Sequence, residues 1–197
     1  MSWKPAAVCA GLAAALGISK AEGHVIAPQY SMFDNGALHL VVTPHMLVPL
    51  LGLGFALGQI GRKAAAGAGA LWLAAFAVSS LAAPPLDAQK LALLVPLTFL
   101  LAGAALISPR WCAPAAAAAL GFCTAQLALS EAATSGLSPW FTLGLGTGAG
   151  LVLFFAAEGT VRSWRDWFKL PARIIASWLM AAGIMFFGLA LKPFFAG

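Results

Sequence analysis

The sequence predicts an all-α fold, a polytopic membrane helix bundle with six transmembrane helices after an N-terminal signal-like segment. Of the 197 residues, 61% are hydrophobic and only 9% are charged, whereas soluble domains have about 45–50% apolar and about 25% charged residues. The mean hydropathy is +0.92, and six long uncharged runs follow one another along the chain. Because this number of charges is too small to cover a water-facing surface, the expected surroundings are a lipid bilayer.

The first element is the segment of residues 1–23. Lys4 precedes an apolar stretch at residues 6–18, which small residues follow. This stretch is shorter than the roughly 20 residues that a membrane span needs, and its pattern is typical of a secretory signal peptide cleaved before His24. The alternative is a short N-terminal helix that is retained. Residues 24–197 are predicted to form a single six-helix transmembrane domain.

The six uncharged runs are each close to the roughly 20 residues that cross a bilayer core. They lie at residues 39–60, 65–83, 91–108, 112–130, 138–157 and 173–195. Prolines and charges separate them, as in Pro84-Pro85, because proline interrupts a helix. In the fifth run, Gly144/Gly148 and Gly146/Gly150 have the small-xxx-small spacing that favours close packing between membrane helices.

The basic residues divide unequally between the two sides of the membrane. With residues 24–38 outside, eight of the eleven lie on the inner side. The eight are Lys4, Arg62, Lys63, Arg110, Arg162, Arg165, Lys169 and Arg173, against Lys20, Lys90 and Lys192 outside. The positive-inside rule therefore predicts a bacterial inner (cytoplasmic) membrane protein with residues 158–173 cytoplasmic and both mature termini periplasmic. The tryptophan-rich stretch 160–169 is predicted to lie as a short helix in the headgroup region.

Several classes of protein find no support in the sequence. The net charge of +5 has no basic patch interleaved with aromatic residues, so a nucleic-acid partner is not expected. No GxSxG, HExxH, CxxC or phosphate-loop pattern occurs, so a hydrolase or a nucleotide-dependent enzyme is not expected. Cys112 and Cys123 are eleven residues apart on one helix face, about 16 Å along the axis, which is too far for a disulfide. Glu158 is expected to pair with Arg162 at i+4.

All three histidines fall within 22 residues, at the predicted outer mouth of the first span. Imidazoles with thioethers suit copper, and imidazoles with carboxylates suit nickel or zinc. His39 and His45 are roughly 120° out of alignment on a straight helix, but Pro44 lies between them and can bend the chain there. The candidate metal ligands are His24, His39, His45, Asp34, Met46 and Glu131. Interfacial histidines bonded to loop backbone, and ligation of haem or a pigment, are the alternatives.

Glu131 is the candidate that comes from a different run. It ends the fourth run on the predicted outer side. A carboxylate at membrane depth is costly and marks a functional site by default, although at a helix end it can simply face water. If it turns inward, we expect it to offset the charge of an ion held by the histidines.

The layout resembles the HupE/UreJ family, six-span membrane proteins regarded as nickel or cobalt permeases or as accessory proteins of hydrogenase and urease. The resemblance is carried by a leader that ends before His24, by Gly36-x-x-His39 opening the first span and by Leu-Ser-Pro139 entering the fifth. Of that family's fourth-span pattern His-Gly-x-x-His-Gly-x-Glu, the chain keeps the acid, Glu131. The resemblance implies a divergent member that handles a metal ion.

Three functions remain open from the sequence. The first is a small permease or metal-handling protein for nickel, cobalt or copper, with its histidine cluster on the periplasmic side. The second is a non-transporting accessory or structural subunit, held in a larger membrane complex through its Gly/Ala-rich helix faces. The third is an electron carrier or enzyme with haem or copper on the histidines. The scarcity of polar residues in the spans favours the second, and the histidine cluster favours the first.

Overall fold

Seven α-helices joined by short connections make up the described part of the chain. The computed structural model describes residues 30–136, 138–163 and 169–195. The helices are α1 (Met32–Val42), α2 (Pro44–Gln59), α3 (Arg62–Ala82), α4 (Ala88–Ile107), α5 (Pro109–Ser135), α6 (Pro139–Ser163) and α7 (Lys169–Phe195). Within these ranges no residue lies in a strand, which confirms the all-α prediction. The predictions for residues 1–23, for His24 and for residues 164–168 of the tryptophan-rich stretch lie outside the described residues.

The helix ends follow from local sequence. The Ser31 side chain accepts the backbone N–H of Asp34 at the start of α1, and the Asp87 carboxylate accepts that of Lys90 at the start of α4. Both side chains satisfy amide groups that a helix N-terminus leaves without partners. Gly136 ends α5 in the left-handed conformation, with φ of 64°, a position that glycine adopts at low cost.

Five of the helices, α3 to α7, are long and apolar enough to cross a membrane, and the count rises to six if α1 and α2 together form one broken span. These two helices are bent by 79° at their junction. The predicted run 39–60 is therefore not one straight helix. Pro44 has no N–H for the helix ladder and disfavours a helical conformation at Thr43, whose hydroxyl instead donates to the His39 carbonyl at 2.6 Å. The bend predicted at Pro44 is present.

Helix α6 is the support against which both halves of the bent pair pack. A Cβ atom added at Gly144 would collide with the backbone carbonyl of Phe33 in α1, and one at Gly148 would lie 2.8 Å from the carbonyl oxygen of Ala37. In α2, a Cβ at Gly54 would lie 2.5 Å from the side chain of Ala156. The Gly144/Gly148 pair thus provides close helix packing, as predicted.

The second glycine pair of α6 behaves differently. Gly146 receives the ring of Phe76 from α3, since an added Cβ would lie 2.5 Å from two of its carbons. At Gly150 the nearest atom would be 3.8 Å away, on Trp72, so this glycine leaves an opening. The Trp72 and Phe76 rings stack with centroids 5.5 Å apart.

Two opposite ends of the bundle follow from the short connections, because consecutive long helices reverse direction. We call the end where α3, α5 and α7 begin the basic end. Among the described residues its charged side chains are Arg62, Lys63, Arg110, Glu158, Arg162 and Arg173. The opposite end, where α4 and α6 begin, carries Asp87, Lys90, Glu131 and Lys192. The charge asymmetry predicted from the sequence therefore coincides with one end of the bundle.

A buried polar link ties the connection between α3 and α4 to α5. The Gln126 side chain is fully buried; its amide nitrogen donates to the Ser79 hydroxyl at 3.0 Å, and its oxygen accepts the Leu86 N–H at 3.1 Å. An unpaired polar group in an apolar interior is costly. This link therefore fixes the position of the C-terminal part of α5, which carries Glu131.

Candidate metal site at the bent helix pair

The closest polar contact between distant parts of the chain joins α1 to α5. The Nε2 atom of His39, in the last turn of α1, lies 2.6 Å from the Oε2 atom of Glu131. The two side chains are largely enclosed, with 16% and 27% of their surfaces exposed. An imidazole that carries a proton on Nε2 is positioned to interact with this carboxylate. The sequence predicted both residues as ligands, and the fold brings them together.

An aromatic contact and a neighbouring backbone hydrogen bond position His39. Its centroid lies 5.3 Å from that of Phe141 in α6, in an edge-to-face arrangement at 67°, a geometry that aromatic rings prefer. The Thr43 hydroxyl donates to the backbone carbonyl of His39, which links the turn that carries the imidazole to the break at Thr43. The ring itself packs against the first turn of α6.

The second ring nitrogen of His39 is the candidate metal ligand. Its Nδ1 atom is buried and has no hydrogen-bond partner among the residues that the structure describes. In the neutral tautomer that carries its proton on Nε2, Nδ1 presents a lone pair. This is the arrangement that metal-binding histidines use, since a carboxylate behind the ring fixes its orientation and raises the basicity of the other nitrogen.

His45 lies on the other side of the bend, in the first turn of α2. It is half-buried and interacts electrostatically with both Glu131 and His39. On a straight helix the two histidines would point in different directions. The 79° bend instead leaves both within electrostatic range of one carboxylate.

Two other predicted ligands, Asp34 and Met46, have structural roles instead. The Asp34 carboxylate is exposed and accepts the Ser31 hydroxyl at 2.7 Å, so it serves the start of α1. Met46 is 4% exposed and belongs to the apolar core. Within the described ranges no group of three His, Cys, Asp or Glu is arranged to hold a metal ion. Of the predicted ligands, the structure brings together His39 and Glu131, and His45 interacts electrostatically with both.

Sequence reasoning missed one polar residue of α1. Asn35 is 1% exposed, and its side-chain amide donates to the carbonyls of Tyr30 and Ser31 at 3.1 Å each. It closes the first turn of α1 and holds the incoming chain against the helix that carries His39. The available signal was a lone amide between Asp34 and Gly36, where α1 needs backbone capping.

A second charged cluster lies at the basic end. Arg62 contacts Glu158 through two nitrogens, Nε to Oε1 and Nη2 to Oε2, each at 3.2 Å. Arg162 Nε lies 3.4 Å from Oε2 of the same carboxylate, which confirms the predicted i+4 pair. The contact between Arg62 of α3 and Glu158 of α6 was not predicted from the sequence.

No protein-family model, curated protein or solved structure matches this chain. Its function is therefore inferred from the geometry of its own residues.

Proposed function

We propose that this protein is a small membrane permease or metal-handling protein for a transition-metal ion, with nickel, cobalt or copper as the cargo. The observation that supports this most is the His39–Glu131 pair, because its buried Nδ1 atom lacks a partner in the described part of the chain. In this proposal the protein is a divergent relative of the HupE/UreJ family in the bacterial inner membrane, and it is not an enzyme.

The ligand chemistry supports a transition-metal ion over a hard cation. Imidazole nitrogens suit nickel, copper and zinc, whereas magnesium and calcium prefer oxygen ligands. His39 supplies Nδ1, His45 supplies a second imidazole, and Glu131 offsets the charge of the ion while it orients the His39 ring. If the chain is cleaved before His24, the new terminal amine and imidazole are available as further ligands.

The position of the pair suits capture of an ion from one side of the membrane. Glu131 lies four residues before the end of α5, about 6 Å along the helix axis. Neutral imidazoles at this depth can replace the waters of an ion before it meets the low dielectric. In the proposed orientation the basic end is cytoplasmic and the site opens towards the periplasm.

A non-transporting accessory subunit is the second candidate, and the interior of the bundle favours it. Several buried hydroxyls donate to their own helix backbone. These are Thr43, Thr98, Thr124 and Thr160. Such bonds leave few polar groups to line a path from the His39–Glu131 pair to the basic end. In this alternative the protein transports no ion, and its Gly/Ala-rich helix faces contact other subunits of a larger membrane complex.

Metal binding by the purified full-length chain tests the proposal. We expect equilibrium dialysis to detect one bound nickel, cobalt or cuprous ion per chain, and His39→Ala and His45→Ala to abolish the binding. Glu131→Gln should weaken it by about 10- to 100-fold, the usual effect of losing a carboxylate behind a metal-binding histidine. Asp87→Asn, which changes an exposed acid at the same end, is the matched control and should bind as the parent does.

Uptake into proteoliposomes separates the two candidates. A metal-sensitive dye enclosed in the proteoliposomes reports uptake of the ion. Uptake by the parent that disappears in His39→Ala supports the permease, whereas binding without uptake supports the accessory subunit. Failure of the parent to bind any of the three ions, or equal binding by the parent and by His39→Ala, would overturn the metal-handling proposal and leave the accessory subunit.

A further inference from the structure

An apolar groove runs between α3 and α6 from the basic end towards the middle of the bundle. It encloses about 310 Å³ and opens sideways to the surroundings of the helices. Its walls are mostly apolar side chains and glycines, including Ala66 and Gly69 on α3 and Gly150 and Leu153 on α6. The two helices touch little along this length because glycines stand where larger side chains would fill the gap.

The length of the groove corresponds to one leaflet of a bilayer. Its α3 wall extends from Arg62 to Leu73, about 16 Å along the helix axis, and the hydrocarbon core of a bilayer is about 30 Å thick. Trp72, only 2% exposed, lies where this groove meets a second one of about 720 Å³ nearer the opposite end. The first groove therefore spans the depth that an acyl chain reaches from the basic side.

Positive charge lies at the mouth of the groove. Arg62 and Glu158 line it, and Arg162 contacts the same carboxylate, so two guanidinium groups surround one acid. The arginine side chains are 63% and 74% exposed, against 23% for Glu158. Each guanidinium carries five N–H donors, and the contacts with Glu158 use only part of them. Among the described residues, the mouth thus presents guanidinium donors that Glu158 does not use, and a net positive charge at headgroup level.

We propose that this groove binds one anionic glycerophospholipid of the leaflet at the basic end. An acyl chain lies against Gly69 and Gly150, and the phosphate contacts the exposed guanidinium groups of Arg62 and Arg162. Basic pockets between membrane helices are suited to anionic headgroups, and charge-assisted bonds from arginine to phosphate are among the strongest hydrogen bonds in proteins. The site is separate from the His39–Glu131 pair and does not depend on the function proposed for it.

Native mass spectrometry of the full-length protein, with equal amounts of phosphatidylglycerol and phosphatidylethanolamine, tests the proposal. We expect one phosphatidylglycerol to be retained in preference to phosphatidylethanolamine. Arg62→Gln and Arg162→Gln should each lower its retention about fivefold, the effect of one basic residue near an anionic surface. Arg173→Gln removes a charge from the same end, on α7 away from the groove, and should retain the lipid as the parent does.

A matched pair of glycine substitutions tests the acyl-chain part. A Cβ atom meets nothing within 4 Å at either Gly67 or Gly69 of α3, but only Gly69 lines the groove. Gly69→Leu should therefore lower retention at least tenfold with an unchanged melting temperature, and Gly67→Leu should not. Equal retention of both lipids, equal behaviour of the two leucine variants, or a lipid-free dimer that covers the groove would each overturn the proposal.

Discussion

Replacing Gly144 by alanine tests the close contact on which the bend and the His39 site depend. An added Cβ would collide with the backbone carbonyl oxygen of Phe33 and would lie 3.0 Å from its Cα atom. These are backbone atoms, so no rotamer change relieves the overlap. Helix α1 must move away from α6 by on the order of 1 Å, and such overpacking typically costs about 1–3 kcal/mol.

Gly150→Ala is the matched control on the same helix. Its Cβ would lie 3.8 Å from the nearest atom, on Trp72, which is an ordinary contact. Both substitutions share the gain in helix propensity of about 1 kcal/mol that alanine has over glycine. The difference in stability between the two variants therefore isolates the collision, and we expect Gly144→Ala to be the less stable by about 1–3 kcal/mol.

Reversible unfolding of the detergent-solubilised chain, followed by circular dichroism, measures this difference. The same displacement moves His39 relative to Phe141, so the NMR signals of the His39 ring should shift in Gly144→Ala and stay in place in Gly150→Ala. Equal stabilities of the two variants, with unchanged His39 signals in both, would refute the backbone contact between α1 and α6.

Three further outcomes are expected. Gln126→Leu leaves the Leu86 N–H and the Ser79 hydroxyl without this partner and should lower stability by about 1–2 kcal/mol, with faster proteolysis between α3 and α4. The hydrogen bonds and ion pair with Lys90 hold the pKa of Asp87 below its ordinary value of 3.8. The stabilisation that the Asp87 carboxylate gives to α4 is therefore present above pH 3.8 and is lost as the pH falls through the lower pKa of the folded state. Hydrogen exchange in the first turn of α4 should rise over that pH range in the parent and stay unchanged in Asp87→Asn. Reporter fusions in the α4–α5 connection should be cytoplasmic, and a periplasmic signal would contradict the orientation.

Composition and the positions of prolines predicted most of the fold. Uncharged runs of about 20 residues have few options other than helices in lipid, because only a helix or a closed barrel pairs every backbone group there. The predicted runs 65–83 and 91–108 correspond to α3 and α4 within a few residues. The bend at Pro44 was also predictable, since the missing N–H is a local property.

The size of that bend and its consequences depend on tertiary contacts. Pro44 permits a break, but the 79° angle depends on how the two halves pack against α6: α1 lies on Gly144 and Gly148, and α2 approaches Ala156 through its own Gly54. The candidate ligands show the same division, since the residue types were evident from the sequence, whereas their grouping required the fold.

The His39–Glu131 pair is the clearest example of what the sequence left open. The clustering of His39 and His45 follows from their closeness along the chain, but Glu131 reaches His39 only because α5 and α6 present it beside Phe141 at the end of α1. Asp34 lies closer to His39 in sequence, yet it caps α1 through Ser31. The sequence determined which groups are costly to leave unpaired in a membrane, and the packing of three helices decided which of them meet, because such contacts depend on backbone separations that no local pattern encodes.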